Sequence, residues 1–354
     1  MRKVLKSLAA ILVAAAAAGC GSSSDGDFRG RLELASADGT FYFAHQDDPS
    51  YGHAWRVGDA ENDPLDRSDV QAVCGKYPSM IGFDLGEIEL GGDRNLDGVP
   101  FSLMRRAAKM EAQKGGLVTF SWHARNPLTG GDAWDISSDK AVESVLEGGE
   151  NHEKFLGWLD TVAEFLRSLD GIPVLFRPWH ENVGSWFWWG GGFCSPEQYK
   201  ALWKLTYERL GGVRNLLWVY SPNGNCGAGD YAERYPGDDC VDIVGFDSYQ
   251  SGPLPVSRDR YMTEMQDALA FVSRFAEEHG KLYCVSETGF ESIPDPQWWT
   301  GTLLPAMEGY NPCYVLVWRN AWDRESHYFC TFASSPDSED FKAFAASGKV
   351  KLID

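Results

Sequence analysis

Basic residues are scarce in this chain. Lys and Arg number 32 against 51 Asp and Glu, a net charge of −19. Nucleic acid and anionic lipid surfaces are poor partners for such a protein, because both would be repelled, whereas a neutral substrate would not. Long apolar runs are missing too: the stretch over residues 8–18 is too short to span a bilayer. Neither CxxC nor HExxH occurs, so no spacing resembles a zinc site and no metal is expected. No GxGxxG or GxxxxGK[ST] follows a β-rich run, which leaves no nucleotide-binding loop and no expected cofactor. There is no internal repeat and no long linker after the N-terminal region.

What is abundant is aromatic surface. The chain holds 14 Trp in 354 residues. Trp is large and seldom fully buried, so such a surplus suggests stacking surfaces as well as core. The N-terminus reads as a secretory leader: Arg2, Lys3 and Lys6 precede the apolar run, and small residues lead to Cys20. Residues 17–20, Ala-Ala-Gly-Cys, resemble a bacterial lipobox, which implies a signal peptide over 1–19 and lipidation of Cys20. Residues 20–37 are expected to form a lipidated, flexible tether, and 38–354 a single catalytic domain. The expected location is the outer membrane, touched through the lipid anchor only, with the protein a monomer. Seven cysteines remain after Cys20; the odd count leaves at least one free, and Cys226 with Cys240 is the first pair expected to bond.

Eight short β-rich runs alternate with helical patterns. They lie at 40–45, 80–85, 117–122, 172–177, 215–220, 241–246, 282–286 and 314–318. Several are almost continuously apolar, as strands covered on both faces should be. Between them, apolar residues at helical spacing run from Phe155 to Leu169. Ser195-Pro196-Glu197-Gln198 is a capping box opening a helix to Gly211, and residues 261–278 form another helix stopped near Gly280. Eightfold strand–helix alternation indicates a (β/α)8 TIM barrel; composition alone does not separate it from an open doubly wound sheet. Polar residues gather where strands end, and in a barrel those ends converge on one mouth. Among them are Gln46, Asp84, His123, Asn223 and Tyr249.

Two carboxylates stand out. Glu181 follows the fourth run and Glu287 ends the seventh, so both side chains can reach one mouth. Facing carboxyls suit glycoside hydrolysis, one serving as acid and the other as nucleophile or base, provided their pKa values are pushed apart. Sugar rings stack on Trp through their apolar faces, and of Trp122, Trp186, Trp188, Trp189 and Trp318 two or three are expected to be platforms and the others core. Arg177, four residues before Glu181, is placed to orient the carboxylates.

The motif Phe-Arg-Pro-Trp-His-Glu over 176–181, with Gly-Ser-Trp-Phe-Trp-Trp-Gly over 184–190, resembles glycoside hydrolase family 26, the bacterial β-mannanases of clan A. Trp122-His123, Asp247-Ser248-Tyr249, Glu287-Thr288-Gly289 and Trp318-Arg319-Asn320 support it, and the resemblance covers residues 40–322. It implies a (β/α)8 barrel that hydrolyses β-1,4-mannan with retention and needs no cofactor. It further implies Glu181 as acid/base, Glu287 as nucleophile, His180 beside the acid and Tyr249 on the nucleophile. His123, Trp186, Trp318 and Arg319 correspond to sugar-binding positions. Asp84, Gln46, Asn223, Trp122 and Trp189 complete the expected substrate contacts. Related activities stay open: mixed-linkage β-glucan or β-1,3-xylan as substrate, endo or mannobiose-releasing action, and a surface lipoprotein that binds glycan without turnover.

Overall fold

A computed structural model describes residues 25–354 apart from positions 59 and 61, with side chains from Phe28 onward. The expected leader over 1–19 and Cys20 lie outside the described residues. Eight parallel strands form the barrel: β1 Phe41–Gln46, β2 Met80–Asp84, β3 Leu117–Trp122, β4 Val174–Pro178, β5 Leu216–Tyr220, β6 Ile243–Gln250, β7 Leu282–Phe290 and β8 Tyr314–Val317. Each pairs with the next, and β8 returns to β1 with Tyr42 opposite Tyr314 and Ala44 opposite Leu316, which closes the barrel. At its start β1 also pairs in parallel with a C-terminal strand, Val350–Ile353, through Phe41 and Tyr42.

Alternation along each strand divides the core in two. Tyr42, Ala44, Met80, Leu117, Leu175, Val219, Ile243, Cys284, Tyr314 and Leu316 fill the interior. Their neighbours Phe43, Ile81, Phe83, Val118, Phe120 and Phe176 face outward under the helices. That two-sided burial is why the runs read as nearly continuous apolar stretches. Helices follow every strand, among them α2 Phe101–Gln113, α3 His152–Arg167, α4 Pro196–Arg209 and α5 Val256–His279. The capping box at Ser195 and Gln198 forms as read, though α4 stops at Arg209. α5 begins five residues earlier than its apolar pattern and ends at Gly280, whose φ of 63° is the left-handed stop that glycine permits. Among the described residues no helix is long and apolar enough to cross a membrane.

Two expectations need correction. First, much of the region read as a flexible tether is helix α1, Asp25–Ala37. Phe28, Leu32 and Ala35 are buried in the interior cluster, at the end of the barrel where strands begin. Arg31 donates to the Gly115 carbonyl and Ser36 to that of Asn311, 2.6 Å away, both just ahead of strands. The polar composition around three spaced apolar residues concealed the helix. Second, Cys226 and Cys240 are both free thiols, as are the other five described cysteines.

α1 therefore stabilises the barrel by closing its floor. A chain beginning at Asp38 should be less stable than one beginning at Asp25 by on the order of 4 kcal/mol, from exposing Phe28, Leu32 and the apolar surface beneath them. Urea unfolding of the two chains measures this; equal midpoints would mean that α1 contributes nothing.

Candidate active site

The mouth is shaped by irregular backbone at the ends of β4 and β7. Beyond Pro178 the chain turns through Trp179 and Glu181, whose φ values of 53° and 51° are left-handed. Each costs roughly 1–2 kcal/mol for a residue with a β-carbon, so the surroundings must hold them. They do: the Trp179 ring packs beneath the site with its Nε1 on Thr206, and the Glu181 N–H donates to the Ser221 carbonyl at 2.8 Å. In β7 the register against β6 slips between Val285 and Glu287. A bulge of this kind re-aims side chains, and here it turns both Ser286 and Glu287 toward β6. β6 and β7 also run further than their apolar cores, so Asp247, Tyr249 and Glu287 lie within strands and not beyond them.

The two glutamates meet. One carboxylate oxygen from each of Glu181, Asp247 and Glu287 lies within 4.8 Å of the others. Arg177, buried at the end of β4, supplies the counter-charge: it is ion-paired with Glu287 and donates to Asp247 at 2.9 Å. Tyr249 donates to the second Glu287 oxygen at 2.6 Å, and Ser286 donates to Asp247 at 2.7 Å. Three acids so close would suit a metal ion, but the Arg177 guanidinium already bridges two of them. Burial and then the Glu287 charge raise the pKa of Glu181 to about 7, against the Trp186 Nε1 hydrogen bond at 2.6 Å and the charges of His123 and Arg177. A half-buried acid that keeps its proton near neutrality thus faces a carboxylate held by a cation and a phenol.

His123 and His180 stand beside this pair, their Nε2 atoms 3.1 Å apart. Asp84 was expected to bind substrate, but its oxygens are already engaged. It accepts from Ser121 Oγ at 2.6 Å, from Gly86 N at 2.7 Å and from His123 Nδ1 at 2.7 Å, and it is wholly buried. Arg319 is committed likewise, paired with Asp97 at 3.1 Å and donating to the Tyr51 hydroxyl at 3.1 Å. Gln46 is buried at the end of β1 with its Nε2 unpartnered, and Asn223 pairs through its backbone with Asp247 while its Oδ1 is unpartnered.

The aromatic platforms also need correction. Trp122, Trp188 and Trp189 are entirely buried. Their Nε1 groups donate to Glu89, to the Ala124 carbonyl and to the His180 carbonyl. They form the packed wall behind the acid, because each indole N–H finds a partner within the fold. Trp186, 38% exposed, and half-buried Trp318 do face the mouth. Sequence reasoning missed Trp134. It is 46% exposed, and its ring lies over His123 with centroids 5.1 Å apart and planes 17° from parallel. The signal was a lone Trp in the turn-rich stretch Asn-Pro-Leu-Thr-Gly-Gly-Asp-Ala-Trp-Asp over 126–135. Asn126 ties that loop together by accepting from Leu128 N and Thr129 N and donating to the Asp135 carbonyl. Trp322, Leu96 and Leu254, large apolar residues that are also exposed, lie in loops following strands.

Comparison with known proteins agrees with this geometry. The model for "Glycosyl hydrolase family 26" matches residues 50–292. A mannan endo-1,4-beta-mannosidase of Bifidobacterium adolescentis is 31% identical over 310 residues, covering 80% of this chain and 31% of that protein. One from Bacillus subtilis is 35% identical over 216 residues, covering 57% of this chain and 59% of that protein. The chain thus spans between about a third and three fifths of the length of these curated relatives. The structure of a GH26 beta-mannanase from Bacteroides ovatus superposes with a TM-score of 0.85 at 45% identity, covering 91% of this chain and 94% of that one. A closed parallel barrel, a Glu pair at the ends of its fourth and seventh strands, and a family match over residues 50–292 place this chain in glycosyl hydrolase family 26.

Proposed function

We propose that this protein hydrolyses β-1,4-linked mannan with retention of anomeric configuration. The observation that carries the reading is the Glu181–Glu287 pair, whose nearest oxygens lie within 4.8 Å. Inverting enzymes hold their carboxyls about 6.5–9.5 Å apart to admit a water between acid and base, while retaining ones need about 5–5.5 Å. Glu287, oriented by Arg177 and Tyr249, attacks the anomeric carbon while Glu181 gives its proton to the leaving oxygen. The bond from Glu287 to the sugar forms as the glycosidic bond breaks. Glu181, now a carboxylate, then takes a proton from water, and that water displaces Glu287. A pKa of about 7 on Glu181 suits both roles. The names of the relatives support mannan over mixed-linkage β-glucan or β-1,3-xylan.

The test offers the three polymers to the soluble protein beginning at Asp25 and follows products over time. Mannan should be cleaved, and proton NMR should show the β-anomer as the first-formed reducing end. An α-anomer first would overturn retention. Mannan bound but uncut would leave a glycan-binding protein instead. A ladder of early products means endo action; one short sugar means release from a chain end. We further propose export and lipidation at Cys20, with the protein held at the outer membrane; loss of membrane fractionation in Cys20→Ser is the expected result.

A further inference from the structure

We propose that Asp84 is a positioning residue: it fixes the proton shared by His123 and His180 on His123, and the resulting cation sets the upper pH edge of the reaction. The second half rests on the catalytic reading above. The first half stands on the contacts of the two rings and on the charges that surround them.

Two ring nitrogens 3.1 Å apart, as the Nε2 atoms of His123 and His180 are, need one proton between them. The other nitrogen of His123 leaves no choice. Asp84 already receives the Ser121 hydroxyl and the N–H groups of Gly86 and His123. Such a carboxylate is an acceptor only, so His123 Nδ1, 2.7 Å away, carries a hydrogen. Whether His123 is a cation is then decided at Nε2.

The charges around the two rings differ. His123 faces Asp84 from β2, Asp97 from the loop after β2 and Glu287 from β7. His180 faces His123 and Arg177. Burial opposes a charge on either ring. At His123 burial is the largest single influence, but Asp84, Glu287 and Asp97 together outweigh it, and the pKa is raised. At His180 burial is reinforced by two cations, and the pKa falls well below the ordinary value. The shared proton therefore belongs to His123, and His180 accepts it at Nε2. His180 Nδ1 then holds the hydrogen of a neutral ring; it is buried without a partner, which has a cost for a neutral N–H and a far larger one for a cation.

The consequence reaches the acid. Glu181 is faced by Glu287, Asp247 and the Trp186 Nε1, and by the charges of His123 and Arg177. The His123 cation lowers its proton affinity, against burial and Glu287, which raise it. Without the Asp84 charge, His123 would lose its proton at neutral pH and Glu181 would keep its own to higher pH.

Asp84→Asn keeps the size and most of the acceptor geometry while removing the charge. In protein labelled with ¹⁵N-histidine, the wild type should show both ring nitrogens of His123 protonated near neutral pH and one of His180; loss of signals in His123→Gln assigns them. Asp84→Asn should convert His123 to a neutral ring. On mannan, kcat/KM of Asp84→Asn should fall about tenfold in the acid range, and its basic limb should move to higher pH. His123→Gln, neutral by construction, should move that limb in the same direction and covers the case that Asp84→Asn does not fold. A neutral His123 in the wild type overturns the proton placement. A basic limb unmoved in both variants, with mannan still cleaved, overturns the link to the acid. If the wild type cleaves no glycan, the pH link falls with the catalytic reading, while the ring spectra still decide where the proton lies.

Discussion

Glu287→Ala is expected to abolish mannan hydrolysis, with kcat reduced roughly 10⁴-fold or more. On the proposed mechanism the substitution removes the atom that forms the covalent bond, and it leaves Arg177 and Tyr249 aimed at an empty space of carboxylate size. Azide or formate should enter that space and restore turnover on activated substrates, azide giving a glycosyl azide of inverted configuration. Glu181→Ala should behave differently. Its loss should be severe on mannan, where the leaving oxygen needs a proton, and much smaller for the first step with a dinitrophenyl β-mannoside, which leaves without one. Measuring kcat/KM, which reads the first step, for both variants on both substrates separates the roles. Equal dependence on the leaving group in the two variants would sink the assignment, as would more than a tenth of wild-type activity in Glu287→Ala.

Arg177→Met should be the most destabilising single change in the site. Arg177 is 1% exposed and is the cation that Asp247 and Glu287 share. Methionine fills much of the same volume but leaves two carboxylates buried side by side, and breaking a buried pair in this way costs about 3–5 kcal/mol. Burial already raises the pKa of Asp247 well above the ordinary carboxylate value; Arg177 opposes that rise, and Glu287 and Glu181 add to it. With Arg177 gone the acids should take up protons. The sign follows: the variant should be weakest relative to wild type at neutral pH, and the gap should narrow as pH falls and the carboxyls become neutral. Urea unfolding at neutral and mildly acidic pH reads this directly. A loss under about 1 kcal/mol, or a gap that widens on acidification, would mean that Arg177 does not hold the acids in place.

All eight strands were legible in the sequence, because a barrel buries both faces of each strand and writes them as short apolar runs. The meeting of Glu181 and Glu287 was legible because the motif around Glu181 is long and Glu287 ends another such run. What escaped is more physical than statistical. Trp122, Trp188 and Trp189 look like platforms in the sequence, since nothing in a run of aromatics says which indole N–H will find a buried acceptor. Asp84 looks like a sugar ligand, since a strand-end acid carries no sign that three neighbours will fill its oxygens. Trp134 depends on a loop held by Asn126, and the side on which such a loop lays its ring is set by tertiary contacts. The bulge in β7 and the left-handed turns at Trp179 and Glu181 leave no compositional trace.

Helix α1 lies across the end of the barrel where strands begin, and the glutamate pair opens from the end where they finish. Anything joined ahead of Asp25 therefore departs from the pole opposite the catalytic one. A protein held by that end presents its glutamate pair away from the support, on the side where a bulky polymer arrives. Immobilising the enzyme through this terminus should cost little of its rate on insoluble glycan, and the length of the stem should hardly enter.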